Sequence, residues 1–244
     1  MQCVILAGGI GSRMWPETQT VPKTLLPVQG RPFASWQLQW LASAGIDSVV
    51  YCIGYLGHEV AAYVGNGDQW GLDVSYVDEG EALRGTAGAL RLALDQERLA
   101  EDFLVLYGDS WLRVDPVAVL RHLRAGAEPA LMTVFENSER WDTSNVVFDG
   151  RRVVRYEKGL IERPTEMRWI DYGLTAFRRH VIAERVVPDQ VQDMAPLLTA
   201  LADEAMLAGY EVTERFYEVG SFGGRRELEQ YLSVMLGEVS PSER

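Results

Sequence analysis

The chain of 244 residues is long enough to bury a sizeable core as one domain, or as one core with an added lobe. Its hydrophobic content of 47% and charged content of 24% are ordinary for a globular protein. The formal net charge of −12, without any run of Lys or Arg, argues against nucleic acid and anionic membranes as main partners.

The sequence also predicts where the protein resides. No apolar run approaches a membrane span, and the first predicted strand begins at residue 2, so we expect neither a membrane anchor nor a signal peptide. Cys3 and Cys52 fall in predicted buried strands and are expected to be free thiols. These features together favour a cytoplasmic location.

The first element is an apolar run at residues 3–7, with the length and β-branched content of a fully buried strand. The run ends in GGIGSR, where closely spaced glycines at positions 8, 9 and 11 let a bulky anion approach the backbone. Successive N–H groups in such a loop form an anion-binding concavity, and Arg13 adds a positive charge. Lys23 follows between two prolines. The segment therefore predicts a phosphate-binding loop with two cations directed at it.

Two other phosphate-binding patterns fit this segment less well. The Walker pattern G-x-x-x-x-G-K-[ST] is absent, because the lysine lies twelve residues past Gly11. The dinucleotide pattern G-x-G-x-x-G matches only at Gly9 and Gly11, since Met14 stands at the third glycine position. A dinucleotide-dependent dehydrogenase is therefore a less favoured alternative, because this chain lacks the third glycine of its pattern.

Strands and helices alternate with short links over the first half of the chain. The pattern predicts a helix over 32–44, strands over 48–53, 73–77, 103–107 and 130–135, and further helices near 55–64, 86–94 and 116–125. Thr86 is the predicted N-cap of the helix at 86–94. Such alternation indicates an α/β fold with right-handed crossovers. We therefore predict a Rossmann-like, doubly wound mixed sheet.

The predicted strands become shorter from about residue 137, as expected of a lobe added to a doubly wound half. They cover 152–156, 169–174 and a segment near 211–217, with a helix over 194–208 and a last helix to about 236. We expect a single domain over 1–236, with halves at about 1–136 and 137–236. Residues 237–244 read as a polar tail.

Two polar segments follow predicted strands of the first half. Residues 78–90 combine a strand end, a polar loop and small residues that open a helix, which lets a flat ligand lie against the backbone. Asp109 follows the strand at 103–107, and ligands of open α/β sheets bind beyond the carboxyl ends of strands. Its carboxylate is suited to Mg²⁺. Taken alone, an ordinary helix start explains the first segment equally well, and a turn aspartate explains the second segment better than a metal site does.

The order GGIGSR…PKTLLP, then LRGTAG, then YGD resembles the sugar-1-phosphate nucleotidyltransferases. The resemblance implies a GT-A-like nucleotidyltransferase fold, with nucleotide binding in the half at 1–136 and sugar-phosphate binding in the half at 137–236. It also implies a reaction in which an NTP and a sugar 1-phosphate give an NDP-sugar and pyrophosphate, with Mg²⁺ as the cofactor.

The resemblance further implies a set of site residues. The catalytic residues would be Arg13, Lys23 and Asp109, and the metal ligands Asp109 and Glu218, although the family usually has aspartate where this chain has Glu218. The nucleotide-binding residues would be Leu6, Ala7, Gly8, Gly9, Gly11, Ser12, Arg13, Lys23, Glu79, Gly85, Thr86 and Gly88. The sugar-phosphate-binding residues would be Asp109, Asn145, Glu157, Lys158, Asp171 and Gly173.

The substrates are less sharply indicated. The pattern is closest to the hexose- and heptose-1-phosphate guanylyltransferases, so we favour GTP with a mannose- or heptose-like sugar 1-phosphate. UTP, dTTP and CTP, with glucose or N-acetylmuramic acid as the sugar, are alternatives. A non-catalytic regulatory subunit that binds nucleotide sugars on the same fold is the alternative from another class. The sequence leaves homodimerisation open.

Overall fold

The computed structural model describes residues 1–137 and 140–237 of the chain. Its strands are β1 (Gln2–Leu6), β2 (Pro27–Val28), β3 (Arg31–Pro32), β4 (Ser48–Ile53), β5 (Asp73–Asp78), β6 (Asp102–Tyr107), β7 (Ser110–Trp111), β8 (Ala130–Glu136), β9 (Val146–Phe148), β10 (Val153–Tyr156), β11 (Trp169–Arg178), β12 (Leu207–Val212) and β13 (Tyr217–Glu218). Its helices are α1 (Phe33–Ser43), α2 (Gly57–Val64), α3 (Gly85–Asp95), α4 (Pro116–Ala125), α5 (Arg179–Arg185), α6 (Met194–Asp203) and α7 (Phe222–Met235).

One mixed sheet of nine strands forms the centre of the described residues. β5, β4, β1 and β6 lie side by side and run parallel, as the alternation of strands and helices predicts. β11 runs antiparallel to β6 and to β8, and β12 pairs parallel with β8. β9 and β10 extend the sheet beside the first residues of β11. This confirms the predicted doubly wound mixed sheet with added strands in the second half.

Side chains of β1 alternate between two cores, one on each face of the sheet. Cys3 and Ile5 are buried in a core with residues of α1 and α4, whereas Val4 is buried in a core with residues of α3 and α6. This alternation follows from the period of two along a strand. Helices therefore cover both faces, and Cys3 and Cys52 are buried free cysteines, as predicted.

The C-terminal helix α7 packs away from the main sheet, beside the segment that follows β1. Leu228 and Leu232 of α7 lie in a third apolar cluster with Phe33, Trp36 and Trp111. This packing brings the start of α7 beside the N-terminal loops of the chain.

Three predictions of local structure are wrong. The predicted helix at 194–208 ends at Asp203, because Ala205 has a φ of +59° and Leu207 begins β12, whose apolar residues pair with β8. The strand predicted near 211–217 accordingly covers Leu207–Val212 instead. An apolar run of this kind fits a strand and a helix equally well from its sequence. Thr86 does not cap α3 but lies inside it, and its hydroxyl accepts from the Met194 N–H at 2.7 Å.

The predicted tail at 237–244 lies outside the described residues except for Gly237. Among the residues that the structure describes, no helix is both long enough and apolar enough to cross a membrane.

Candidate active site

The carboxyl ends of four neighbouring strands meet at one edge of the main sheet. β1 and β6 lie side by side there, and the Gly108 N–H donates to the Leu6 carbonyl at 2.9 Å. β4 and β5 continue the edge, where the Glu79 N–H donates to the Ile53 carbonyl at 2.9 Å. The loops that follow these strands therefore surround one cleft, which brings the glycine loop, Glu79 and Asp109 together.

The cleft contains a cavity of about 240 Å³, here named the glycine-loop cavity. Its wall combines the end of β1, the segment after β5, the start of α3 and the end of β6. Most of the predicted nucleotide-binding residues line it, namely Leu6, Ala7, Gly8, Gly9, Lys23, Glu79, Gly85 and Thr86. Motifs that are far apart in the chain thus form one concave site.

Gly8 and Gly11 have different structural roles in the loop. A Cβ on Gly8 would lie 2.5 Å from Glu79 Oε1, so glycine allows the carboxylate to approach the loop backbone. Gly11 has a φ of +67°, a left-handed conformation that favours glycine. The Thr18 hydroxyl donates to the Gly11 carbonyl at 2.8 Å. The loop conformation is therefore fixed by contacts within the protein.

The Glu79 carboxylate is partly buried and is held by one backbone group. Its Oε2 accepts from the Arg84 N–H at 2.7 Å. Burial raises the pKa of Glu79, and the Arg84 N–H and charge offset this only in part. An N–H donor on a ligand would therefore stabilise the ionised carboxylate.

Lys23 and Asp109 form an ion pair across the cleft. Lys23 Nζ lies 2.7 Å from Asp109 Oδ2, and both side chains are largely buried. Lys23 begins a short 3₁₀ turn after Pro22, whereas Asp109 follows β6, so the pair joins the loop segment to the edge of the sheet. Two of the residues predicted as catalytic thus contact each other directly.

The other predicted acidic ligand, Glu218, lies beside Asp109. β13 pairs antiparallel with β7, and the Val219 N–H donates to the Asp109 carbonyl at 2.9 Å. A Cβ on Gly220 would lie 2.7 Å from Glu218 Oε2 and 2.8 Å from Asp109 Oδ2. The same Cβ would lie 3.2 Å from Arg13 Nη2. Both carboxylates and the guanidinium therefore converge on one small space.

The two carboxylates fit a hard divalent cation. Mg²⁺ prefers oxygen ligands and is commonly held by one or two carboxylates together with substrate phosphates. Asp109 and Glu218 supply such oxygens from adjacent backbone segments. Within residues 1–137 and 140–237, no cluster of three or more His, Cys, Asp or Glu side chains could hold a metal ion. A cation here would therefore take its remaining ligands from phosphate or water.

A second cavity, here named the wide cavity, has a volume of about 780 Å³ and adjoins the first. Tyr107 and Asp109 line both cavities, so the two meet at the carboxyl end of β6. The predicted sugar-phosphate residues that line the wide cavity are Asp109, Asn145, Lys158, Asp171 and Gly173. The cleft thus provides a space on each side of Asp109.

Asp171 organises the polar groups of the wide cavity. Its Oδ2 accepts from the Tyr156 hydroxyl at 3.3 Å and lies 3.8 Å from Lys158 Nζ, and its N–H donates to Asn145 Oδ1 at 2.9 Å. The lysine Nζ also lies 5.8 Å from the ring centroids of Tyr107 and Tyr156. Burial, with the negative charge of Asp171, raises the pKa of both tyrosines. Both hydroxyls are therefore neutral.

Some predicted site residues line neither cavity in this structure, namely Gly11, Ser12, Gly88 and Glu157. A Cβ on Gly88 would lie 2.9 Å from the Gln190 carbonyl oxygen, so this glycine allows a neighbouring loop to pack on α3. The Glu157 carboxylate accepts from Arg155 at 2.9 Å in an exposed ion pair. Gly88 therefore has a packing role in this structure, and Glu157 lies in a surface ion pair.

The sequence reasoning missed several residues of the cavity walls, and three of them bear on the argument below. Asp193 lines the glycine-loop cavity, and Trp141 and Arg215 line the wide cavity. Asp193 Oδ1 accepts from the Thr86 N–H at 3.3 Å across a sequence separation of 107 residues. Each of the three stands in a segment without periodicity or motif, so no local signal marks it.

Comparison with known proteins assigns the chain to a family. A family model described as nucleotidyl transferase matches residues 2–218, and the chain belongs to this family. This confirms the resemblance that the sequence motifs indicated.

Individual relatives differ in the nucleotide that their names contain. The UTP–glucose-1-phosphate uridylyltransferase of Synechocystis sp. is 28% identical over 195 residues, which are 75% of this chain and 50% of that protein. The D-glycero-alpha-D-manno-heptose 1-phosphate guanylyltransferase of Aneurinibacillus thermoaerophilus is 30% identical over 161 residues, which are 65% of this chain and 68% of that protein. This chain spans about half the length of several curated relatives that it matches.

The fold also matches solved structures. The crystal structure of HddC from Yersinia pseudotuberculosis complexed with GMP-PN superposes with a TM-score of 0.75 at 18% sequence identity. The match covers 95% of this chain and 99% of that one. The likeness therefore extends over both halves of the domain.

Proposed function

We propose that the protein transfers a nucleotidyl group from a nucleoside triphosphate to a sugar 1-phosphate, giving a nucleotide sugar and pyrophosphate. The observation that carries this proposal is the meeting of the two cavities at Asp109 and Tyr107. The triphosphate binds in the glycine-loop cavity and the sugar phosphate in the wide cavity. The attacking oxygen and the α-phosphorus then meet beside the ion pair of Lys23 and Asp109. Family membership supports the same class of reaction.

The reaction needs no general base. The attacking group is a phosphate oxygen, which is already anionic at neutral pH. The histidines of the chain line neither cavity; they are His58, His122 and His180. Catalysis therefore rests on aligning the reacting atoms and on stabilising the charge that develops on pyrophosphate.

Three cations align the phosphates and stabilise the developing charge. Lys23 bridges the phosphates as the bond to pyrophosphate breaks, and Arg13, on the loop after β1, binds the leaving β- and γ-phosphates. Lys158, which lies 3.8 Å from Asp171 in the wide cavity, holds the incoming sugar phosphate. Fixed charges of this kind are most effective where negative charge develops in a partly desolvated site.

The proposal includes Mg²⁺, held by Asp109 and Glu218. When bound, Mg²⁺ supplies a Lewis acid and a template for in-line attack at the α-phosphate. The support is that the oxygens of both carboxylates converge on the space beside Gly220. Because Asp109 also accepts from Lys23, this one carboxylate positions the lysine and holds the cation.

The favoured nucleotide is GTP. Glu79 Oε2 is held by the Arg84 N–H, which leaves Oε1 to accept from the base. Guanine presents two adjacent donors, N1–H and N2–H, whereas uracil and thymine present one N–H between two carbonyl oxygens that a carboxylate repels. A mannose- or heptose-like sugar 1-phosphate is the favoured acceptor, and the guanylyltransferase relative supports this choice. UTP, dTTP and CTP are the alternatives.

Pyrophosphate release tests the proposal. The chain would be assayed with ATP, CTP, GTP, UTP and dTTP against a panel of sugar 1-phosphates, with Mg²⁺ and with EDTA. We expect release with GTP and a mannose- or heptose-like acceptor, abolished by EDTA. Release with another NTP would replace GTP as the proposed nucleotide, and release in the presence of EDTA would contradict the proposed role of Mg²⁺. No pyrophosphate release with any pair of substrates, together with binding of nucleotide sugars, would indicate a non-catalytic binding subunit instead.

A further inference from the structure

Trp141 is a large apolar side chain that stays exposed inside a cavity. About half of its surface is exposed, 48%, although it lines the wide cavity together with polar residues. Binding sites are typically concave and combine aromatic side chains with a few placed polar groups. An exposed indole in such a wall therefore points to a ligand that covers it.

Trp141 is held by a stack of side chains. The Arg215 guanidinium carbon lies 3.8 Å from the centroid of the Trp141 ring and 4.5 Å from the centroid of the Tyr217 ring. Glu227 fixes the guanidinium from the side, with a carboxylate oxygen 2.6 Å from Arg215 Nη2. One face of the indole is thus covered by a cation, which leaves the other face for a ligand.

The backbone at Trp141 is fixed by a buried amide. The Trp141 N–H donates to Asn137 Oδ1 at 3.1 Å. The same Asn137 side chain is fully buried, and its Nδ2 donates to the Asp142 carbonyl at 2.5 Å and to Ser144 Oγ at 3.1 Å. Trp141 is therefore positioned before any ligand binds, which lowers the entropy cost of using it.

We infer that Trp141 is a stacking platform for the sugar of the sugar 1-phosphate, an inference that rests on the proposed function. The sugar phosphate reacts where the cavities meet, at Asp109 and Tyr107, so the sugar extends from there into the wide cavity. Trp141 lines only the wide cavity. Asp142 and Thr143 line the same cavity. In this arrangement the Asp142 carboxylate can accept from sugar hydroxyls, and the Thr143 hydroxyl can accept or donate.

The chemistry of a sugar suits this wall. A pyranose has one face rich in C–H groups, which carry small positive charge, and hydroxyls around its rim. The face of an aromatic ring is electrostatically negative, so it attracts the C–H face while apolar area is removed from water. Stacking on Trp141 therefore increases the affinity for sugars whose C–H face matches the indole, and it does not change the affinity for the nucleotide. Arg215 acts as a positioning residue because it touches the indole.

The test separates the sugar from the nucleotide by binding alone. Calorimetry would measure the dissociation constants of four pairs: GDP-mannose with GDP, UDP-glucose with UDP, UDP-N-acetylglucosamine with UDP, and dTDP-glucose with dTDP. Within each pair, the dissociation constant of the NDP divided by that of the nucleotide sugar gives the contribution of the sugar to binding. In the pair with the largest ratio, Trp141→Ala is expected to reduce that ratio about 3- to 10-fold and to leave the NDP affinity unchanged. Trp141→Phe should restore most of the loss.

Tyr63→Ala is the matched control. Tyr63 is also a partly exposed aromatic, but it packs on Trp70 and lines neither cavity. An unchanged ratio in Trp141→Ala, or an equal loss in Tyr63→Ala, would overturn the platform while pyrophosphate release still supports the reaction. A wild-type protein that binds no nucleotide sugar more tightly than its NDP would overturn the platform as well. Loss of pyrophosphate release across all substrates would instead show that the proposed function has failed.

Discussion

Gly224 leaves the space that the Glu218 carboxylate occupies: a Cβ on Gly224 would lie 2.0 Å from Glu218 Oε1 and 2.6 Å from Cδ. The Ser221 hydroxyl donates to the same Oε1, so the carboxylate is held at the start of α7. The resemblance of the sequence motifs leads us to expect aspartate where this chain has Glu218. The longer glutamate therefore fits because the first turn of α7 has no side chain at position 224.

Gly224→Ala is expected to displace the Glu218 carboxylate from its place beside Asp109. Because a misplacement of about 1 Å at a reacting site can cost about 100-fold in rate, we expect turnover to fall about 10- to 100-fold. The Mg²⁺ concentration for half-maximal rate should rise. Initial rates over a range of Mg²⁺ concentrations, with the Tm measured alongside, check both effects.

Gly223→Ala is the control for this substitution. Gly223 lies in the same turn of α7, but a Cβ there meets no heavy atom within 4 Å. Turnover should therefore fall much less than in Gly224→Ala. A Cβ on Gly224 would also lie 2.7 Å from the Glu218 carbonyl oxygen, which a shorter side chain does not move. The double substitution Glu218→Asp with Gly224→Ala should therefore recover only the part of the lost rate that comes from the clash with the carboxylate. Equal losses in the two single glycine variants would refute the account.

Lys23→Ala and Asp109→Ala are each expected to reduce turnover by a factor on the order of 100 to 1,000, the effect typical of removing a group that stabilises developing charge. Both side chains line a cavity, so the fold should remain intact. Because Lys23 Nζ lies 2.7 Å from Asp109 Oδ2, the double variant should lose less than the product of the single effects. Rates and circular dichroism together check this, and near-normal turnover in either single variant would contradict the assigned roles.

Much of the site could be predicted because its signals are local. Gly8 and Gly9 are close together in sequence and contact the same cavity, and Asp109 directly follows a strand whose apolar run is easily identified. The alternation of strands and helices predicts parallel strands, and parallel strands such as β1 and β6 have their carboxyl ends at one edge of the sheet. Motifs at strand ends are therefore the part of this site that a sequence shows well.

Other parts could not be predicted because they depend on contacts between distant segments. Trp141 is significant only because Arg215 covers one face of its ring, 74 positions later in the chain. The sequence places the end of α6 too late, because the pairing of Leu207 with β8, and not local propensity, decides the conformation there. The space at Gly224 is likewise defined by a carboxylate on another element.

Gly11→Ala is expected to weaken binding of the triphosphate. The left-handed φ of +67° strains an alanine, and its Cβ would lie 3.2 Å from Thr18 Cγ2 and 3.4 Å from Lys23 Cβ. The strain and the tight contact with Thr18 shift the loop backbone that would bind the phosphates, so we expect the KM for NTP to rise about tenfold. Gly30→Ala has a similar φ of +70° but no atom within 4 Å of its Cβ, so it separates backbone strain alone from the contact with Thr18. An NTP KM that is unchanged in Gly11→Ala, or equally raised in Gly30→Ala, would contradict this role.

Glu79→Gln is expected to change how stability depends on pH. Burial raises the pKa of Glu79 in the folded protein above the ordinary value of an unfolded chain, so the folded state binds this proton more tightly. The ionised carboxylate then costs stability, and the cost appears as pH rises from the ordinary glutamate pKa through the raised one. Glu79→Gln should therefore be more stable than the wild type above that window and equal to it below. Urea unfolding at several pH values checks this, and parallel stability curves would contradict it.

The same variant should raise the KM for GTP about tenfold or more at neutral pH, because guanine N–H groups lose a charged acceptor.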